Sequence, residues 1–147
     1  MTGPGRDVPP PEGVRELDHS GDVGIEVWGG SRAELLENAT RGLCGLLSWS
    51  RVEPVLEREL EVRAATFTDL VVDWLSAVIL SAATRAELYA GATVEFAAEG
   101  HAKGRLRGAP LDPVRHELRF DVKAVTYHDI QVEQTPAGCH ARVIFDL

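Results

Sequence analysis

Apolar side chains recur along this chain with two different periods, and each change of period marks the edge of an element. Residues 23–28, Val-Gly-Ile-Glu-Val-Trp, alternate as a strand does and stop at Gly29-Gly30. The period then lengthens. Leu35, Ala39, Leu43 and Leu46 or Leu47 fall at helical spacing up to about Trp49, behind Ser31-Arg32-Ala33-Glu34, which has the form of a capping box. In such a box the Ser31 hydroxyl and the Glu34 carboxylate satisfy each other's backbone N–H groups, donors that a helix start otherwise leaves without partners. Residues 59–64 alternate polar and apolar strictly, predicting a strand with one wet face. A second helix follows, with Thr68 or Asp69 as its cap. Its stripe of Val71, Trp74, Leu75, Val78, Ile79 and Ala82 is wide enough for a central buried helix, and Asp69, Asp73 and Ser76 take the other side.

Strand patterns at 93–98, 102–107, 118–132 and 140–145 complete the chain, separated by turn signals at Glu99-Gly100, Gly108-Ala109-Pro110, Asp112-Pro113 and Pro136-Ala137-Gly138. The order is β-α-β-α and then several strands. Successive strands pair antiparallel, so the pattern predicts an α+β domain with two helices packed on a mixed or mainly antiparallel β-sheet. Residues 1–13 hold Pro4, Pro9, Pro10, Pro11 and three glycines with few apolar side chains, so they are expected to be a flexible tail. Residues 14–147 are then one domain.

Composition narrows the function. At 147 residues, 44% hydrophobic and 26% charged, the chain has the makeup of a single folded domain. No apolar run approaches the roughly 20 residues of a membrane span, and the N-terminus lacks the apolar core of a signal peptide. The expectation is a soluble, cytoplasmic protein with no membrane partner. Cys44 and Cys139 form no CxxC and read as buried thiols. A net charge of -8 argues against binding nucleic acid by neutralising phosphates. The charge is uneven: residues 1–100 carry 8 basic and 17 acidic groups, residues 101–147 carry 7 and 6. An acidic body with a near-neutral last third suits a protein or metal partner.

Three segments carry candidate chemistry. Asp18-His19-Ser20-Gly21-Asp22-Val23-Gly24 sets two carboxylates and an imidazole between glycines just before a strand. It is either a turn in which the aspartates cap their own backbone or half of an oxygen-ligand site for a hard cation such as Ca²⁺ or Mg²⁺. The second segment, Ile144-Phe145-Asp146-Leu147, puts the Leu147 α-carboxylate beside the Asp146 side chain. It gains meaning only if the fold brings it next to Asp22, where the carboxylates would repel one another unless a cation neutralised them. The third is residues 121–133, a strand pattern holding Lys123, Tyr127, His128 and Asp129. Strict alternation puts His128 inward with Val122, Ala124, Thr126, Ile130 and Val132, as a satisfied core histidine, and Lys123, Tyr127 and Asp129 on the wetter face.

Taken together, Lys123-Ala124-Val125-Thr126-Tyr127-His128, the ending Phe145-Asp146-Leu147, the stretch from Asp18-His19 to Asp22, and Leu111-Asp112-Pro113-Val114-Arg115-His116 resemble the archease family from about Leu17 to the end. The resemblance implies an α+β fold and a small cytoplasmic protein that is not itself a ligase. It implies an activating cofactor of the RNA-splicing ligase RtcB, which joins RNA ends using GTP and a divalent metal; the cofactor promotes ligase guanylylation and multiple turnover. It further implies a calcium-type metal site at Asp22, Asp146 and Leu147 and a role for Lys123 in activating the ligase. The family usually has Thr-Ala where this chain has Ser20-Gly21, and Gly21 loosens the backbone beside the metal position. Two other readings stay open: a metal-dependent hydrolase on the same carboxylates, for which no nucleophile and base stand at a recognisable spacing, and a general chaperone or interaction module.

Overall fold

The computed structural model describes residues 10, 12–19 and 21–147; most of the predicted tail, and Ser20, lie outside the described residues. In chain order the elements are β1 (Val14–His19), β2 (Asp22–Gly29), α1 (Arg32–Leu47), β3 (Leu56–Arg63), α2 (Phe67–Arg85), β4 (Glu87–Ala97), β5 (His101–Pro110), β6 (Ala124–Thr135) and β7 (Gly138–Asp146). They build an α+β fold with two sheets, ordered β1-β2-β7-β6 and β3-β5-β4, in which every pair is antiparallel. Helix α1 packs on β2 and β4, and α2 packs on β3, β4, β5 and β6, so both helices contribute to one core shared by both sheets.

Several boundaries differ from the sequence pattern. Strand β1 was not expected, because Val14 and Leu17 are out of phase for alternation; its ladder with β2, from Val14↔Val27 to His19↔Asp22, makes it a strand all the same. Strand β4 begins at Glu87, ahead of the expected 93, since a bulge between Tyr89 and Gly91 interrupts its alternation. Residues 118–123 are not strand. They form a strap across the end of α1, held by the Ser48↔Leu118 bridge and by bonds from the Arg119 and Phe120 N–H groups to the Leu47 and Leu46 carbonyls.

The caps show the local chemistry. The Glu34 N–H donates to Ser31 Oγ at 3.1 Å, as expected, while Glu34 Oε1 accepts at 2.7 Å from the Gly30 N–H, one residue before the cap. Helix α2 is capped by Thr66, ahead of the two candidates, through the Asp69 N–H at 3.1 Å. Asp69 instead sits in the first turn, where a carboxylate complements the helix dipole.

Length and composition alone would let α2 cross a membrane. Its Leu70, Val71, Trp74, Leu75 and Val78 are instead completely buried in the shared core. Both cysteines are free and buried, and burial pushes the Cys44 thiol up to about 12 and that of Cys139 in the same direction.

Candidate functional site

The two strand ends flagged in the sequence meet. In the β2–β7 ladder Val23 lies opposite Phe145, and both are buried in the core. Asp22 and Asp146 are each the next residue outward, so both fall on the opposite face at the same end of the sheet. Strand β6 joins them: Ala124 pairs with Asp146, and the Lys123 N–H donates to the Asp146 carbonyl at 2.9 Å. Asp22 and Asp146 thus lie on neighbouring strands, Lys123 stands just ahead of β6 beside them, and Leu147 follows Asp146 directly. Gly21, in the β1–β2 turn, has φ +77, a conformation that side chains with a Cβ rarely adopt, so the turn itself calls for glycine there.

The donor chemistry suits a hard cation. Among the described residues no three His, Cys, Asp or Glu side chains converge on one point. An ion at this end would draw on the Asp22 and Asp146 carboxylates and the α-carboxylate of Leu147. These are oxygen donors, fit for Ca²⁺ or Mg²⁺ and unlike the nitrogen and sulfur set of a structural zinc site.

Strand β6 corrects the expected alternation. Its ladder with β7 jumps from Thr126↔Ile144 to Gln131↔Arg142, so residues 127–130 face only Val143, and Asp129 has φ 57. The reason is phase. Val125 and Val132 both pack against the core although they lie seven positions apart, an odd offset, and a regular strand cannot turn both inward. The bulge resets the register and pushes its own residues out. His128, with its side chain 71% exposed, is therefore not a core histidine. Tyr127 is also exposed, and its hydroxyl donates to Asp69 Oδ1 at 2.7 Å; the neighbouring carboxylate pushes the phenol up to about 12. Lys123 is exposed, and among the described residues its ammonium has no hydrogen-bond or ion-pair partner.

Arg119, which carried no signal in the sequence, anchors the strap that leads to Lys123. Its guanidinium donates from Nη1 to Glu16 Oε2 at 2.9 Å and to the Gly45 carbonyl at 2.7 Å, and from Nη2 to Glu16 Oε1 at 3.2 Å. The same group lies 3.6 Å from the centre of the Trp49 ring. A second missed feature is Glu87. It is 5% exposed and accepts from Arg58 at 3.0 and 2.5 Å and from the Tyr89 hydroxyl at 2.9 Å. The Arg58 bond holds its carboxyl below the usual range. The segment from Leu111 to His116 closes on itself as a turn: Asp112 Oδ1 accepts from the Val114 N–H at 3.0 Å, and its carbonyl accepts from the Arg115 and His116 N–H groups.

Comparison with known proteins gives a consistent result. Residues 15–147 match the model of the Archease protein family (MTH1598/TM1083). The chain is 31% identical over 136 residues to a protein archease of Methanopyrus kandleri, covering 90% of this chain and 97% of that one. It is 35% identical over 132 residues to a protein archease of Thermoplasma volcanium, covering 89% and 96%. Among solved structures, protein 1598 of Methanobacterium thermoautotrophicum superposes with a TM-score of 0.76 at 28% identity, over 92% of this chain and 99% of that one. An archease of Thermotoga maritima, described as a possible chaperone, shares the fold with a TM-score of 0.64 at 21% identity, over 89% and 94%. With a family model spanning all but its first residues and relatives aligned along nearly their whole length, this chain belongs to the archease family.

Proposed function

We propose that this chain is an activating cofactor of an RtcB-type RNA ligase, promoting its guanylylation by GTP and its multiple turnover in tRNA splicing or RNA repair, without being an enzyme itself. The observation that carries this reading is the 2.9 Å bond from the Lys123 N–H to the Asp146 carbonyl. It ties the residue associated by resemblance with ligase activation to one associated with the metal. Asp146 uses its backbone to hold Lys123 and keeps its carboxylate for a cation shared with Asp22 and Leu147. A calcium-type ion would supply fixed positive charge there, removing the repulsion among the carboxylates. Lys123 then offers a compact cation to a phosphate or an acidic group of the ligase near its nucleotide site. The net charge of -8 supports a protein partner over direct contact with RNA, and two free buried thiols support a cytoplasmic setting.

The test is ligation and ligase guanylylation by the cognate ligase, with this protein present in substoichiometric amounts. Repeated turnover is expected only when it is added, and Lys123→Ala is expected to abolish the gain. Wild-type guanylylation with Lys123→Ala removes the lysine from the mechanism. A second reading, a general chaperone or interaction module, draws on the exposed Trp49, Val114 and Leu118. It takes over if the ligase is neither bound nor stimulated while aggregation of unrelated proteins is suppressed.

A further inference from the structure

We propose that Arg119 is a positioning residue for Lys123, a role that rests on the ligase-activating reading of Lys123. The strap over 118–123 has no ladder of its own and crosses from the end of α1 to the start of β6. At its far end, Val122 is buried and the Lys123 N–H is bonded to Asp146. At its near end the Arg119 side chain, only 10% exposed, adds to the main-chain bonds that join the strap to the end of α1. The guanidinium binds three groups at once: Glu16 on β1, the Gly45 carbonyl in the last turn of α1, and the ring of Trp49 just beyond that helix. Helix α1 has no basic residue in its own last turn, so Arg119 also supplies the positive charge its C-terminus favours.

Stability alone is a poor explanation for this group. Arg119 Nε is buried without a hydrogen-bond partner, and a buried charge with an unmet donor is costly. An apolar side chain of similar length would fill the space against Trp49 and Phe120, and the pair it would remove is to a Glu16 that is 48% exposed, a kind of pair that contributes little to stability. What the apolar side chain cannot do is fix direction. A planar fork with two bonds to one carboxylate, a third to a helix carbonyl and a stacked ring sets the path of the backbone four residues before Lys123.

The experiment compares the full chain with Arg119→Met, and with Glu16→Gln as a second variant that weakens the fork from the partner side. Amide hydrogen exchange is read at Lys123 and at core residues of α2, and ligase guanylylation is titrated against each protein. With positioning lost, Lys123 exchange rises about tenfold or more while the α2 core amides hold. Maximal stimulation falls about tenfold, and the half-saturating concentration stays within about twofold, because the defect lies in alignment and not in docking. Lys123 exchange within about twofold of wild type overturns the proposal, as does full stimulation at saturation. Should Arg119→Met not fold, Glu16→Gln decides by the same readings. If the wild-type protein itself gives no stimulation, the ligase reading fails, and the exchange arm still decides whether Arg119 fixes Lys123.

Discussion

Replacing Thr40 by valine removes one oxygen from the centre of the core and leaves the shape nearly unchanged. Thr40, on α1, and Trp74, on α2, are both completely buried. Thr40 Oγ1 donates to the Leu36 carbonyl at 2.7 Å and accepts from Trp74 Nε1 at 2.9 Å. In Thr40→Val the indole N–H loses its acceptor in a place without solvent. An unmet buried donor of this kind costs about 1–3 kcal/mol. The Leu36 carbonyl keeps its helical partner and adds little. At roughly 2–4 °C of melting temperature per kcal/mol for a domain of this size, Tm should fall by about 2–12 °C. Urea unfolding should show a lower midpoint with an unchanged slope. The decisive comparison is a double-mutant cycle with Trp74→Phe, whose ring has no N–H to satisfy. In that background Thr40→Val should cost almost nothing, so the coupling recovers the same about 1–3 kcal/mol. Equal cost in both backgrounds would refute the assignment of the loss to the stranded indole.

Other consequences can be measured on the same protein. Calcium at about 100 times its Kd should stabilise the wild type by about 2.7 kcal/mol, which is about 5–11 °C in Tm; Asp22→Asn and Asp146→Asn should lose most of that gain, and equal melting in calcium and in chelator would remove the metal site. The only two tyrosines, Tyr89 and Tyr127, are both shifted upward, Tyr89 chiefly by burial and Tyr127 by Asp69. Ultraviolet titration should therefore show little tyrosinate at about pH 10, and Asp69→Asn should let one phenol ionise there. The stability linked to Tyr127 is present below the ordinary phenol pKa of about 10 and declines as pH rises toward its folded value near 12. Glu87 has the opposite sign: its folded pKa is depressed, so its contribution is present above the ordinary carboxylate pKa of about 4.3 and is lost as pH falls through the folded value. Glu87→Gln should flatten that acid limb, and an unchanged limb would show that other carboxylates set it.

The parts of the fold readable in the sequence are those whose side chains obey one period against one neighbour. Helix α1 and strands β2 and β3 stood where their spacing put them, since α1 and β3 bury one stripe or one face and turn the other outward, and β2 buries Val23, Ile25 and Val27 more deeply than Glu26 and Trp28. The strap misled for an equally physical reason: Leu118, Phe120 and Val122 alternate as in a strand, yet the backbone they belong to bonds to the end of α1 and not to a sheet. The candidate site divides the same way. Asp22, Asp146 and Lys123 could be named from local motifs, but only the β2–β7–β6 pairing brings them together. Arg119 and Glu87 had no local signal, because their ion-pair partners Glu16 and Arg58 lie 103 and 29 residues away.

The polar run in β6 follows from the same pairing. Val125 packs on the core, and strict alternation from it would turn Asp129 inward as well, burying a charge at a cost unless it is paired. The strand avoids this by breaking. Its first ladder, 124–126 against 144–146, fixes the backbone beside Lys123 and Asp146, and its second, from Gln131 onward, returns Val132 to the core. Between them the bulge puts Tyr127, His128 and Asp129 outward on the edge of the four-stranded sheet, with Tyr127 fastened to the first turn of α2 through Asp69. A single inserted residue would already have restored the phase, so the longer bulge displays more side chains than register alone demands. That surplus lies directly after the residues that hold Lys123. On the proposed ligase-activating reading, the working surface would extend from the carboxylates at the sheet end through Lys123 to the bulge, on a strand whose flanking ladders keep both ends fixed.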